Sequence, residues 1–148
     1  MKALFLDIDG VLNHLGTAAR LPGHGTYGFD PENVAVFNHL MSKLDPYTLI
    51  VVSSTWRRLY TKAELQALFD TYDIRCQIFD YTETLDIRRG LEIQEWLDRH
   101  PDVSKFAILD DDADMEHLMS HLVKTDWKLG LTMQDIPSVL RGLGSENS

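Results

Sequence analysis

Met1-Lys2-Ala3-Leu4-Phe5-Leu6-Asp7-Ile8-Asp9-Gly10-Val11-Leu12 opens the chain, and its reading decides the rest. Residues 1–6 are an apolar run broken only by Lys2, the pattern of a buried strand that delivers Asp7 to the end of a sheet. In open α/β sheets, ligands gather at the carboxyl ends of the strands. Ile8 separates two acids, and Gly10 lets the backbone turn away sharply. Two carboxylates so placed are costly unless their charge is offset. A divalent cation offsets it most simply, and hard cations prefer oxygen ligands.

Outward from that stretch, strand and helix patterns alternate. Residues 13–29 hold Gly16, Pro22, Gly23, Gly25 and Gly28 and read as a long loop or flap near the site, with His24 as an exposed loop histidine and substrate contact as the alternative. Asp30-Pro31-Glu32 starts a helix, and Val34, Phe37, Leu40, Met41 and Leu44 give it an apolar face. Tyr47 to Val52 reads as a second buried strand, ending in Ser53-Ser54-Thr55-Trp56-Arg57-Arg58. Thr61 and Glu64 form a capping box for a helix faced by Leu65, Leu68 and Phe69. Ile74 to Phe79 is expected as a third strand, Tyr81 to Asp86 as a loop, and about Arg88 to Arg99 as a helix. Phe106 to Leu109, the fourth strand, runs straight into Asp110-Asp111-Asp112-Ala113-Asp114. A short helix over Met115 to Leu122, a fifth strand over Leu122 to Thr125 and a last helix around Ile136 to Leu143 follow. His117 and His121 read as a solvated pair one helical turn apart, and Trp96 as core. This alternation predicts a single α/β, Rossmann-like domain over residues 1–143. It has three layers, with a mainly parallel sheet of about five strands covered on both faces and a frayed tail over 144–148.

The totals agree with that size. The 148 residues, 44% hydrophobic and 25% charged, are enough for one real core. Fourteen basic against 23 acidic residues give −9, which argues against broad electrostatic binding to nucleic acid but leaves room for a local patch. Cys76 is the one cysteine, so no internal disulfide forms; it reads as a small core thiol. No stretch approaches the ~20 apolar residues of a membrane span, and Asp7 and Asp9 interrupt the apolar start too early for a secretory signal. A cytoplasmic protein is the expectation.

Four features now fall at strand ends or helix starts: Asp7 with Asp9, Ser53, Arg88 or Arg89, and Asp110 with its acidic neighbours. In this order they resemble the haloacid dehalogenase (HAD) superfamily of phosphohydrolases, along the whole chain. The resemblance implies that Asp7 attacks phosphorus to form an aspartyl-phosphate, and that Asp9 protonates the leaving oxygen and then activates water. It implies Mg2+ held by the Asp7 carboxylate, the Asp9 main-chain carbonyl and Asp110, with Asp111 or Asp114 in support. It implies that Ser53 hydrogen-bonds a phosphoryl oxygen and that Arg89, or Arg88 in its place, offsets charge where the commonest pattern has lysine. Family members that break carbon–halogen bonds lack the second acid in this role, so Asp9 points to phosphate esters.

Neither usual cap position has room for a folded cap domain, and capless members tend to act on large phosphorylated substrates. Trp56-Arg57, with Ser54 before them, forms either a surface turn or a group that stacks a base and holds a phosphate. Ser53 to Arg57 with Ile108 to Asp112 also resembles small HAD domains associated with RNA end repair. The expected substrate is therefore a phosphate monoester, with a nucleic-acid end as the sharper form and a small metabolite or nucleotide as the other. A catalytically idle HAD-like binding module is the rival, opposed by the intact acid set. A phosphoacceptor receiver domain would put its phosphorylated aspartate on the third strand, which here ends Phe79-Asp80, ahead of the main acid cluster.

Overall fold

The computed structural model describes residues 1–17 and 28–145. Five strands, β1 (Lys2–Leu6), β2 (Leu49–Val52), β3 (Ile78–Tyr81), β4 (Lys105–Asp110) and β5 (Leu122–Lys124), alternate with four helices. These are α1 (Pro31–Lys43), α2 (Lys62–Thr71), α3 (Arg89–Arg99) and α4 (Ile136–Gly142). The sheet is parallel throughout, in the order β3-β2-β1-β4-β5, so the opening strand lies at its centre. The helix starts follow local chemistry: the Asp30 side chain caps α1 ahead of Pro31, and Thr61 and Glu64 close a reciprocal capping box on α2.

Side chains alternate across the strands and divide the interior in two. Leu4, Leu6, Ile50, Val52, Ala107 and Leu109 pack beneath α1, α2 and α4. Ala3, Phe5, Val51 and Ile108 face the other way, onto Ile93 and Trp96 of α3 and onto Met115 and Leu118. The edge of Trp96 meets Phe5 at 5.4 Å between ring centroids. The architecture is thus a three-layer, Rossmann-like α/β sandwich, and the described residues contain no folded cap. No helix among them is long and apolar enough to cross a membrane.

Two elements differ from the sequence reading. The third strand begins at Ile78, not Ile74, and includes Tyr81. The backbone donors ahead of it and at its first residue bond elsewhere: Ile74 N–H to the Phe69 carbonyl, Arg75 N–H to Asn38 Oδ1 and Ile78 N–H to Gln66 Oε1. With those donors occupied by helices, the segment cannot join the ladder. Cys76 therefore lies outside the strand, half-buried, and burial pushes its thiol up to about 12. Residues Glu116–His121 form the short helix expected there, but wound as a 3-10 helix. At three residues per turn His117 and His121 do not share a face; His117 meets Gln94 and His121 stacks on Phe106. The segment holding His24 lies outside the described residues.

Candidate active site

Strand parity builds the site. Phe5, Val51 and Ile108 all face α3, so Asp7, Ser53 and Asp110, each two residues further on, emerge toward that same side. Register brings them level. Leu6 pairs with Val52 and Leu109, Asp7 N–H donates to the Leu109 carbonyl (3.0 Å) and Ser53 N–H to the Leu6 carbonyl (2.9 Å). Asp7, Asp110 and Asp111 each place a carboxylate oxygen within 4.8 Å of the others, a set that could hold a metal ion.

Arg89, the first residue of α3, points into this cluster. Its Nη1 lies 3.2 Å from Asp110 and 3.8 Å from Asp7, and it donates to the Ser53 carbonyl. The close seating of α3 explains that reach. Gly90 N–H donates to the Asp114 carbonyl (3.0 Å), and a Cβ on Gly90 would stand 2.1 Å from the Met115 carbonyl oxygen. Only glycine lets the helix start approach that loop. Gly10 is the second glycine the site requires: its φ is +81°, and a Cβ there would lie 2.2 Å from Asp111 Oδ2.

The charges are poorly compensated by protein alone. Burial pushes the Asp7 carboxyl well above the ordinary carboxylate range, the Asp110 charge adds to that, and Arg89 only partly opposes it. Asp110 is pushed up to about 6, again by burial, with Arg89 pulling the other way. Beside them the Ser53 hydroxyl is buried with no hydrogen-bond partner. A buried hydroxyl left without a partner calls for an explanation, and a ligand oxygen beside the acids would supply one.

The remaining candidates separate. Asp9 is exposed, and its carboxylate accepts from Asn13 Nδ2 (2.9 Å), while Asn13 Oδ1 accepts from Gly10 N–H. Asp114 is outside the three-acid cluster; its carboxylate accepts from the Arg89 N–H at the start of α3. Arg88 faces away and pairs with Glu116 at the surface, so Arg89 is the cation of the site. Ser54 is fully buried and caps the turn that follows, its Oγ accepting from Trp56 N–H. Trp56 is 1% exposed, packed against Phe29 and Tyr60, and so has no face to offer a base. Arg57 is equally committed: it pairs with Glu92 at 3.1 Å, both side chains buried, and donates to the Ser54 carbonyl and to Thr82. The Trp56-Arg57 reading as a substrate group is thus corrected; an aromatic after a strand end is as much core material as platform.

Three residues that sequence reading passed over hold the site. Glu92 lies on the buried face of α3 and joins Arg57, Arg89 and the Leu85 N–H. Its signal is an acid one helical turn after the arginine on the face that also carries Trp96 and Ile93. Thr125 is buried, its N–H donating to the Asp110 carbonyl and its Oγ1 to the Gly10 carbonyl. Asn13 closes the turn after Asp9, four residues on. A depression of about 240 Å³ opens beside Asp9, Gly10, Asn13 and Asp111. A larger one, about 580 Å³, lies over α1 and includes none of the site's acids.

No curated protein matches the chain. The parallel sheet, the acids at the ends of its two central strands and the arginine at the start of α3 agree with a family model for the HAD domain in Swiss Army Knife RNA repair proteins, which matches residues 3–136, and the chain belongs to that family.

Proposed function

We propose that the protein is a Mg2+-dependent phosphatase that removes phosphate monoesters from nucleic-acid ends through an aspartyl-phosphate. Membership in a HAD family supports a phosphatase-type hydrolase, and the RNA repair proteins named in the family description support the substrate. The observation that carries the reading is the convergence of Asp7, Asp110 and Asp111, with the Arg89 guanidinium against Asp110 and Asp7, beside an unpartnered Ser53 hydroxyl.

Asp7 attacks phosphorus, forming an acyl-phosphate bond as the ester P–O bond breaks. Asp9, solvent-exposed and oriented by Asn13, gives its proton to the leaving oxygen. The resulting carboxylate then takes a proton from water, which attacks phosphorus and restores Asp7. The Ser53 hydroxyl donates to a phosphoryl oxygen, and Arg89 stabilises the charge on the transferring group. The Asp7, Asp110 and Asp111 carboxylates, with the Asp9 main-chain carbonyl, would hold Mg2+, which supplies charge neutralisation and Lewis-acid polarisation when bound. Asp114, in the loop after β4, supports this set indirectly, its carboxylate accepting from the Arg89 N–H at the start of α3.

Phosphate release from 5′- or 3′-phosphorylated oligonucleotides with Mg2+, set against the same reaction in EDTA, is the direct test. Release that EDTA abolishes is expected. No release from oligonucleotides, nucleotides or small esters removes the reading.

Metal binding has its own pH signature. Asp7 and Asp110 hold protons more tightly when folded than unfolded, so their contribution favours folding at low pH; the Asp110 part is lost as pH rises through about 6, and the Asp7 part is likewise lost as that carboxyl ionises. A cation replaces those protons and restores the loss. Mg2+ at about 100 times its pH 8 Kd should raise the Tm by about 5–10 °C near pH 8, and at the same concentration much less near pH 5, where protons compete for the carboxylates. Thermal melts at both pH values check this; equal shifts would contradict it, and Asp110→Asn should remove the shift near pH 8.

A further inference from the structure

Trp56 and Arg57 are committed to the interior, yet the mouth of the site carries another aromatic and cation. Trp127 and Lys128 lie on the turn that follows β5. Trp127 is 47% exposed, whereas Trp56 and Trp96, the other two tryptophans, are buried. Trp127 lines the 240 Å³ depression shared by Asp9 and Asp111. The Lys128 ammonium stands 5.7 Å from the centre of the indole.

The turn is a built support. Gly130 N–H donates to the Asp126 carbonyl (2.8 Å), and Asp126 Oδ1 accepts from Lys128 N–H (2.9 Å). The Trp127 carbonyl accepts from Leu15 N–H, and Asn33 Nδ2 donates to the Leu129 and Leu131 carbonyls from α1. Thr125, just ahead of the turn, is bonded to both the Asp110 and Gly10 main chains, so the backbone that carries Trp127 is tied to the segments that carry the acids.

We propose that Trp127 and Lys128 form the leaving-group subsite: the terminal base of a phosphorylated single-stranded end stacks on Trp127, and Lys128 holds the adjoining backbone phosphate. The inference rests on the phosphatase reading, because Asp9 as proton donor puts the leaving oxygen on the side where this depression opens. The depression has room for one ring system, not for a folded ligand. Stacking on an aromatic platform is strong and sequence-tolerant, as an end-processing site requires. With a net charge of −9, long-range attraction of a polyanion is absent, and short-range contacts of this kind must supply the affinity.

Two measurements test it. In the first, kcat/KM is compared for a phosphorylated oligonucleotide and for glycerol 2-phosphate, whose leaving group has no ring. Trp127→Ala should lower the ratio of the two by about 10–100-fold, mostly through KM, and Trp127→Phe should restore most of it. Lys128→Ala should weaken the oligonucleotide but not the 5′- or 3′-mononucleotide, and reduce the salt slope of oligonucleotide binding by about one. In the second, the Asp7→Asn chain with Mg2+ is titrated with the same oligonucleotide while tryptophan emission is followed. Quenching should occur and should vanish in Asp7→Asn/Trp127→Phe, since Trp56 and Trp96 are shielded. An unchanged ratio together with no quenching overturns the subsite. Equal responses to mononucleotide and oligonucleotide, with Lys128→Ala silent, overturn the strand-end assignment. Quenching by a wild-type chain that hydrolyses no ester overturns the phosphatase reading and leaves the platform standing.

Discussion

Asp7→Asn is expected to lower turnover at least about 1000-fold while leaving the protein folded and, without metal, slightly more stable. The amide cannot attack phosphorus. Its oxygen still accepts from the Ile8 N–H, the bond Asp7 makes at 2.8 Å, so the local backbone keeps its partner. What disappears is a carboxylate that burial and Asp110 both disfavour in its charged form. Asp110 keeps Arg89 at 3.2 Å and loses a like charge beside it. At neutral pH in EDTA the Tm should therefore rise by a few degrees, where loss of a structural residue would lower it. Phosphate release and a melt on the same preparation check both halves. A variant keeping more than about a tenth of the wild-type rate would show that Asp7 is not the nucleophile.

Much of this site was legible because it lies where strand periodicity ends. An apolar run fixes the parity of every residue on it, and Asp7 and Asp110 each close such a run. Ser53 ends another, and the parallel register brings the three ends level without information from the loops. Asp30, Thr61 and Glu64 announced their helices because caps are local chemistry, complete within four residues. What could not be read depended on partners distant in sequence. The segment from Ile74 to Gln77 has strand composition, but Asn38 and Gln66 take two of the nearby N–H groups, and nothing local reveals that. Arg88 and Arg89 are adjacent and chemically alike; only the seating of α3 against the Asp114–Met115 loop decides which faces the acids. Trp56 reads as a substrate group, and Trp127 is passed over, for the same reason. Both follow strands, and whether an indole is covered depends on Phe29 and Tyr60 in one case and on open solvent in the other.

Glu92→Ala should be the most destabilising single change near the site, by about 3–5 kcal/mol, and should lower activity even in molecules that remain folded. Glu92 is buried and holds Arg57 at 3.1 Å and the Leu85 N–H at 2.8 Å, with Arg89 Nε at 3.7 Å. Removing it strands a buried guanidinium whose other contacts are all neutral oxygens, those of Ser54, Thr82 and Glu83. The Tm should fall by about 10–15 °C. Replacing both partners, as in Arg57→Met with Glu92→Met, removes the unpaired charge and should recover much of that loss, since a buried pair and an apolar pair of similar volume are close in stability. Activity should not recover with it. Arg89 would still lack the carboxylate that steadies its Nε while its Nη1 reaches Asp110, and a cation misplaced at the transferring group costs about 10–100-fold in kcat. Melting curves and kcat measured on the single and double variants separate the two roles. A double variant that regains full kcat along with its Tm would make Glu92 a packing residue alone. A single variant melting within a few degrees of wild type would mean that the Arg57–Glu92 pair is not shielded from water as its burial indicates.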